Sequence, residues 1–146
     1  MKELIVFNLA NEFYGIEITK VREIKTYETP TPLPNTKKFV KGVINIRGEI
    51  VPVIDLNIRF DESSEPKYYD TTPVITTKTS DLRMVAVIVD KIETLEFFAP
   101  QDMIDLSTDG LFINREFVQG IAHVNGKNII VIDVDKMFSQ EEIINY

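Results

Sequence analysis

The chain has 146 residues, enough for one ordinary domain or for two small units that share a core. Its apolar fraction of 44% and charged fraction of 27% are typical of a folded globular protein. Acidic residues outnumber basic ones by 23 to 16, and the net charge of −7 works against binding of a nucleic-acid backbone. The absence of cysteine excludes disulfides and thiolate metal sites. Since no apolar run approaches the roughly 18 residues of a membrane span, we expect no direct membrane insertion.

Short strands rich in β-branched residues are predicted along most of the chain. They cover residues 4–9, 14–18, 42–46, 50–54, 74–77, 84–89, 120–124 and 129–132. This pattern is typical of a β-barrel or a β-sandwich. Helical signals are few: a short helix or single turn is predicted over residues 17–24 and a C-terminal helix over residues 139–146.

One segment occurs twice. Residues 39–56 read FVKGVINIRGEIVPVIDL and residues 117–134 read FVQGIAHVNGKNIIVIDV, with seven identities in eighteen positions at a constant offset of 78. A weaker echo pairs residues 13–24 with residues 84–95 at an offset of 71. The chain is therefore predicted to contain two related β units. The polar segment near residues 62–72 is expected to mark the crossover and boundary between them.

The two copies differ at a turn. Asn125-Gly126 is the strongest hairpin signal in the sequence, because both central positions of a type I′ turn need positive φ. Arg47 and Gly48 occupy the same place in the first copy, so a long cation replaces the usual turn asparagine. A guanidinium held on rigid strands is suited to a carboxylate partner. A solvated turn residue is the alternative interpretation.

Catalytic chemistry is hard to build from these residues. His123, the single histidine, falls within a predicted strand, so contact with a neighbouring strand is favoured over a catalytic role. Asp55 and Asp133 resemble a carboxylate pair, but each follows a strand and precedes a mixed run, as a helix N-cap does. No phosphate-binding loop or metal-binding spacing occurs, so no cofactor and no metal are expected.

The first copy of the repeat carries the signature of a known family. Its run GVINIRG at residues 42–48, followed by IVPVIDL at residues 50–56, resembles the motif of the CheW family of chemotaxis coupling proteins. Residues 6–24 are similar to the family's opening strands. The run AVIVDK at residues 86–91 resembles its central motif, with Ala86 in place of the family's glycine. The resemblance covers residues 1–146, which are expected to form a single CheW-like domain.

The resemblance implies a mainly β fold, in which two small five-stranded SH3-like β-barrels pack together, with short helices that include one at the C-terminus. It also implies a non-catalytic adaptor that couples methyl-accepting chemotaxis receptors to the histidine kinase CheA. The partners would be the cytoplasmic tips of the receptors and the regulatory domain of the kinase. Such an adaptor is cytoplasmic and is recruited to membrane-associated receptor arrays.

Receptor-binding residues follow from the same resemblance. Arg47 matches the arginine of the family's N-[LI]-R-G motif, which is associated with receptor coupling, and Glu23 matches a glutamate on the same face. Receptor tips are helical hairpins, so the expected contact is a helix in an apolar groove between the barrels. Val21, Ile24 and Ile50 are the candidates for that groove.

Kinase-binding residues are expected in both units. The second unit around Gly120 and the first unit near Gly42 are the candidates for the two faces that a ring of alternating kinase and coupling proteins requires.

Two other classes of function remain open at this point. One alternative is that the chain is the CheW-like part of a larger signalling protein, either a coupling protein of CheV type, which also carries a receiver domain, or the kinase itself. A small β-barrel that binds a metabolite is the other alternative.

Overall fold

The computed structural model describes residues 1–104 and 117–138, and these residues form mainly β structure. The strands are β1 (Lys2–Leu9), β2 (Glu12–Glu17), β3 (Val21–Thr26), β4 (Val40–Ile46), β5 (Glu49–Asp55), β6 (Pro73–Lys78), β7 (Met84–Ile88), β8 (Lys91–Phe98), β9 (Met103–Ile104), β10 (Val118–Val124) and β11 (Lys127–Ile132). The helices α1 (Leu56–Phe60) and α2 (Val134–Met137) follow β5 and β11, and 3₁₀ turns span Ile18–Lys20 and Pro100–Asp102. The helix predicted over residues 139–146 lies outside the described residues. Neither α1 nor α2 is long and apolar enough to cross a membrane.

The strands form two sheets with the same internal order. One sheet has five strands in the order β3-β6-β7-β5-β4, and the other has six in the order β8-β1-β2-β11-β10-β9. The prediction of a mainly β fold with few short helices is confirmed. The matching strand orders are consistent with two small barrels of SH3-like build.

The pairing registers confirm both sequence repeats. β5 runs parallel to β7 with Val53 opposite Ala86, and β11 runs parallel to β2 with Val131 opposite Gly15. The first repeat equates Val53 with Val131, and the second equates Gly15 with Ala86, so each offset relates equivalent positions in the two sheets. The β-bulge between Val40 and Gly42 likewise recurs at the equivalent place in the second copy, between residues 118 and 120.

The crossover predicted near residues 62–72 was placed wrongly. β5, before this segment, and β6, after it, lie in the same sheet. The chain changes sheets between β2 and β3 and again between β7 and β8, so the N-terminal hairpin completes the sheet formed by the C-terminal strands. A polar, proline-containing segment marks a surface loop, but it does not reveal which sheet the next strand joins.

The helix predicted over residues 17–24 was also wrong for most of its length. Its helical part is the 3₁₀ turn Ile18–Lys20, and β3 begins at Val21 because this segment pairs with β6, with Ile24 opposite Ile75. β3 and β8 are edge strands, and neither was predicted. Each mixes charged and apolar residues, so neither presents the continuous apolar run of a central strand.

Three apolar clusters hold the sheets. The largest lies between the two sheets and includes Phe7 and Ile16 from one sheet and Ile54 and Val87 from the other. Each sheet also has a core of its own, built around Val51 and Val53 in one and around Leu4, Val6, Ile129 and Val131 in the other. The central strands are therefore buried on both faces, which explains their nearly continuous apolar sequences.

Both aspartates that follow a central strand cap a helix, as predicted. The Asp55 carboxylate accepts a hydrogen bond from the Ile58 backbone N–H at 3.0 Å, and the Asp133 carboxylate accepts one from the Lys136 N–H at 3.1 Å. Asp55 is buried and also accepts a hydrogen bond from the Tyr68 hydroxyl. Burial, followed by this hydrogen bond, raises the pKa of Tyr68 far above its usual value. Capping, not catalysis, accounts for this pair of carboxylates.

Thr76 offers a test of the equivalence between the sheets. It is buried, and its hydroxyl has no hydrogen-bond partner within residues 1–104 and 117–138. Val6 occupies the equivalent place, since Thr76 pairs with Ala86 as Val6 pairs with Gly15. Because an unpaired buried hydroxyl destabilises the folded state, Thr76→Val should raise the free energy of unfolding by about 1 kcal/mol.

Urea denaturation measures this change, and Thr77→Val is the matched control. The Thr77 hydroxyl donates a hydrogen bond to the Val85 carbonyl at 2.8 Å, so its removal should lower the stability by about 1 kcal/mol. A loss of stability in Thr76→Val would contradict the interpretation.

Candidate functional site

Two hairpin tips of equal backbone geometry carry different side chains. Arg47 and Gly48 join β4 to β5 with φ angles of 51° and 88°, and Asn125 and Gly126 join β10 to β11 with 51° and 77°. Positive φ at both central positions confirms the predicted type I′ turn. Asparagine tolerates this conformation, whereas arginine adopts it at a conformational cost.

The two tips also differ in where their side chains go. The Asn125 amide donates a hydrogen bond to the Glu96 carboxylate at 2.7 Å, so it is used inside the molecule. The Arg47 side chain is 83% exposed, with an Nη atom 3.4 Å from a carboxylate oxygen of Glu23. An exposed ion pair of this kind contributes little stability, so the guanidinium can exchange Glu23 for another carboxylate at small cost.

The structure brings Arg47, in the turn between β4 and β5, to within 3.4 Å of Glu23. Glu23 lies in β3, not at the end of a helical turn, and 29% of its side chain is exposed. The two residues are 24 positions apart, and only the fold brings β3 beside the tip of the β4–β5 hairpin. The pair supplies one positive and one negative group on a single surface.

The apolar candidates lie in two different environments. Ile24 is 45% exposed and Ile50 is 66% exposed, whereas Val21 is partly buried against the core between the sheets. Ile24 lies opposite Ile75 on the neighbouring strand, and Ile50 lies on the same side of β5 as Ile54. Ile75 and Ile54 both belong to the core between the sheets. Ile24 and Ile50 therefore continue the inner face of the five-stranded sheet out to the surface.

Gly42 and Gly120, the candidates for kinase contact, are buried. A Cβ atom at Gly42 would lie 2.2 Å from the Thr31 carbonyl oxygen, and φ there is +140°. A Cβ atom at Gly120 would lie 2.7 Å from the Met103 side chain. Both glycines allow another segment to cross the hairpin, so a partner cannot touch them directly.

The crossing segments form the surface at these two places. Thr31 bridges Val43 across Gly42, and Ile104 pairs with Ile121, the repeat counterpart of Val43, across Gly120. β9 is thus the counterpart of the single bridge at Thr31. Ile104 is 55% exposed and forms part of the surface above Gly120.

His123, the candidate for a catalytic role, contacts a neighbouring strand. His123 is exposed on β10, and its Nδ1 lies 2.8 Å from the Asn128 amide oxygen on the paired strand, as the strand interpretation predicted. No group of three histidine, aspartate or glutamate side chains in residues 1–104 and 117–138 is arranged to hold a metal ion.

Sequence reasoning missed exposed apolar side chains at Leu82 (71%), Leu95 (54%) and Ile104 (55%). Phe97 on β8 is also exposed, at 58%. Leu95 pairs with Ile5 as Ile24 pairs with Ile75, so it is the counterpart of Ile24 in the other sheet. The alternation of charged and apolar residues in Lys91–Phe98 was the available signal.

Two β-sheets around a shared core, with exposed apolar and charged side chains at their margins, define a β domain whose candidate binding residues lie on its surface. Comparison with known proteins identifies the family of this domain. A family model described as CheW-like domain matches residues 3–142. The chemotaxis protein CheW of Klebsiella aerogenes is 32% identical over 142 residues, which cover 97% of this chain and 84% of that protein. The chemotaxis protein CheW of Rhizobium meliloti is 29% identical over 145 residues, with 97% and 90% covered.

A solved structure supports the same assignment. The scaffolding protein TtCheW from Thermoanaerobacter tengcongensis matches with a TM-score of 0.84 and 31% identity, covering 97% of this chain and 90% of that one. The chain therefore belongs to the CheW family.

Arg47→Asn tests whether the first hairpin tip is strained. Because asparagine adopts positive φ more readily, this variant should raise the free energy of unfolding by about 0.5 to 1 kcal/mol, although it removes the ion pair with Glu23. Urea denaturation measures the change. The reciprocal variant, Asn125→Arg, should be destabilised. A destabilised Arg47→Asn would mean that the arginine has a structural role.

Gly42→Ala tests whether the close passage of Thr31 over β4 requires glycine at this position. The added methyl group would collide with backbone atoms of Thr31, so we expect a loss of about 2 kcal/mol or more and a lower melting temperature. Gly48→Ala is the control, since its φ is also positive but no atom lies within 4 Å of the added methyl group. Equal losses in the two variants would show that conformation alone, not the close crossing, requires Gly42.

Proposed function

We propose that this protein is a non-catalytic adaptor that couples methyl-accepting chemotaxis receptors to the histidine kinase CheA. The main support is Arg47, an exposed cation in an unfavourable backbone conformation, at a turn where the other copy of the repeat has an internally bonded asparagine. A conformational cost that brings no contact of comparable value within the chain is typical of a functional site. Membership of the CheW family gives that site its context.

The proposed receptor face consists of Arg47, Glu23, Ile24 and Ile50, with Val21 as part of the wall behind it. A helix of a receptor tip would lay its apolar side on the two exposed isoleucines. A carboxylate on that helix would replace Glu23 as the partner of Arg47 and form a bidentate pair. The exposure of Arg47 and the weak competition from Glu23 favour this exchange.

The proposed kinase faces lie over the two buried glycines. On the second sheet Ile104, above Gly120, offers exposed apolar surface, and Leu95 and Phe97 lie on β8 of the same sheet. On the first sheet, Thr31 and the residue after it cover Gly42. Two different faces on one molecule permit head-to-tail assembly with a kinase domain of similar fold, as a closed ring requires.

The proposed mechanism is conformational coupling in the cytoplasm, at arrays to which the receptors recruit the protein. An adaptor that binds both partners changes kinase activity only if one receptor state gives better contacts than the other. No step of covalent chemistry is needed.

A metabolite-binding function has less support. A cleft of about 220 Å³ lies beside Asp55, Tyr68 and Asp90. Its polar groups already bind one another: the Asn57 amide donates to Asp90 at 2.6 Å, and the Tyr68 hydroxyl donates to Asp55. These groups would have to break internal hydrogen bonds to bind a ligand.

Arg47→Glu tests the receptor face. Reversal of the charge should weaken binding to a receptor signalling fragment by about tenfold, or roughly 1.4 kcal/mol, and should lower receptor-dependent kinase activation. Co-sedimentation of the chain with the receptor fragment and CheA, followed by a kinase assay, measures both effects. Asn125→Glu, at the equivalent tip of the other sheet, is the matched control and should leave receptor binding unchanged.

Unaltered coupling in Arg47→Glu would refute the proposed receptor face. A large fall in its melting temperature would show that Arg47 supports the fold and is not a surface contact.

A further inference from the structure

Leu82 is a second side chain held at a conformational cost and exposed to solvent. It ends the three-residue tip 80–82 of the connection 79–83 between β6 and β7, which is closed by a hydrogen bond from the Thr79 N–H to the Arg83 carbonyl at 2.9 Å. The Leu82 backbone N–H donates a hydrogen bond to the Thr79 carbonyl at 3.0 Å. Its φ is 68° and its exposure is 71%. Three-residue hairpin loops of this kind favour glycine at their left-handed position, because a side chain there is strained. Leucine at this place gains no compensating burial.

The hairpin of the other sheet has a residue suited to this conformation. The equivalent hairpin, between β1 and β2, has Asn11 at φ 68°, and the offset that relates β2 to β7 also relates Asn11 to Leu82. That turn is one residue shorter, since Leu9 pairs with Glu12 and both Ala10 and Asn11 have positive φ. Asparagine tolerates the left-handed conformation, whereas leucine adopts it at a cost. An exposed leucine at this position therefore points to a role outside the hairpin.

The loop that carries Leu82 is firmly anchored. The Ser80 backbone N–H donates a hydrogen bond to the Asp135 carboxylate at 2.7 Å, and the Arg83 guanidinium donates one to the Phe138 carbonyl at 2.6 Å. These bonds fix both sides of the loop to α2 and the residue that follows it. An apolar side chain on a fixed support loses little entropy on binding, which is the property of a preorganised anchor.

Leu82 and Arg47 lie at the same end of the five-stranded sheet. β5 and β7 are parallel neighbours, so the turn before β5 and the loop before β7 lie at one end. The register pairs Val53 with Ala86, and Leu82 lies in the loop just before β7 begins at Met84. The proposed receptor face, which includes Ile50 near the start of β5, thus lies at the same end of the sheet as the leucine.

We infer that Leu82 is a further apolar anchor for the acidic, amphipathic helical partner that Arg47 binds. This inference rests on the proposed receptor face. The partner would place a carboxylate at Arg47 and an apolar side chain against Leu82. A lipid surface is disfavoured, because the net charge of −7 and the neighbouring Asp81 carboxylate repel anionic headgroups.

The test compares stability with binding in Leu82→Asn. Relief of strain should raise the melting temperature, as measured by thermal unfolding, while loss of the apolar side chain should weaken binding to a purified receptor signalling fragment by about fivefold or more. Leu82→Gly should behave in the same way. Tyr69→Asn, at a 62% exposed side chain in the loop before β6, is the control for loss of exposed apolar surface and should bind the fragment as the unaltered chain does.

The possible outcomes distinguish the inference about Leu82 from the proposed receptor face at Arg47. Normal binding by Leu82→Asn together with weakened binding by Arg47→Glu would overturn the inference and leave the receptor face standing. A lower melting temperature in Leu82→Asn would also overturn it, since the leucine would then support the fold. Failure of the unaltered chain to bind the fragment would overturn both.

Discussion

The parallel pairing of β2 with β11 is the constraint on which the structure depends. It joins the N-terminal hairpin to strands near the other end of the described chain, and the equivalent pairing of β5 with β7 forms the centre of the other sheet. Because the chain leaves one sheet after β2 and returns to it only at β8, the two sheets are interleaved along the chain. Neither the N-terminal nor the C-terminal half contains a complete sheet. The core between the sheets, with Phe7 on one side and Val87 on the other, forms only when both are assembled.

Duplication supplies an internal comparison for each surface residue. Equivalent positions meet the same backbone demands, so a difference between them points to something beyond the fold. At the two pairs of hairpin tips, one sheet has Asn11 and Asn125 where the other has the left-handed residues Leu82 and Arg47, although the turn at Asn11 is one residue shorter and also has Ala10 at positive φ. Both departures raise the conformational cost, both expose the side chain, and both lie at the same end of one sheet. The two sheets have therefore kept one architecture while a single sheet acquired the surface that we propose binds the receptor.

Comparison of the two sheets also argues against a direct kinase contact at Gly42 and Gly120. Gly42 and Gly120 recur at one repeat position, and family resemblance suggested that they lie at kinase contacts. In the structure each is covered by a crossing segment that leaves no room for a side chain. Their recurrence follows from a packing requirement that both sheets share. We propose a binding role instead for the residues that cover them, such as Ile104, which lies exposed on the two-residue strand β9.

Local sequence was enough to predict the central strands, the type I′ turn, the capping aspartates, both repeats and the unusual arginine at the first hairpin tip, because each depends on neighbouring residues or on a periodic pattern. It was not enough at the edge strands β3 and β8, whose mixed composition becomes intelligible only once a partner strand is known. Nor could it show that the chain changes sheets after β2, since strand pairing across long separations leaves no local signal. The three-dimensional fold was needed to show that Glu23 meets Arg47, that Val21 is half-buried and that Leu82 shares an end of the sheet with Arg47. Those relations depend on which strands become neighbours, and that choice is made by burial of the core between the sheets.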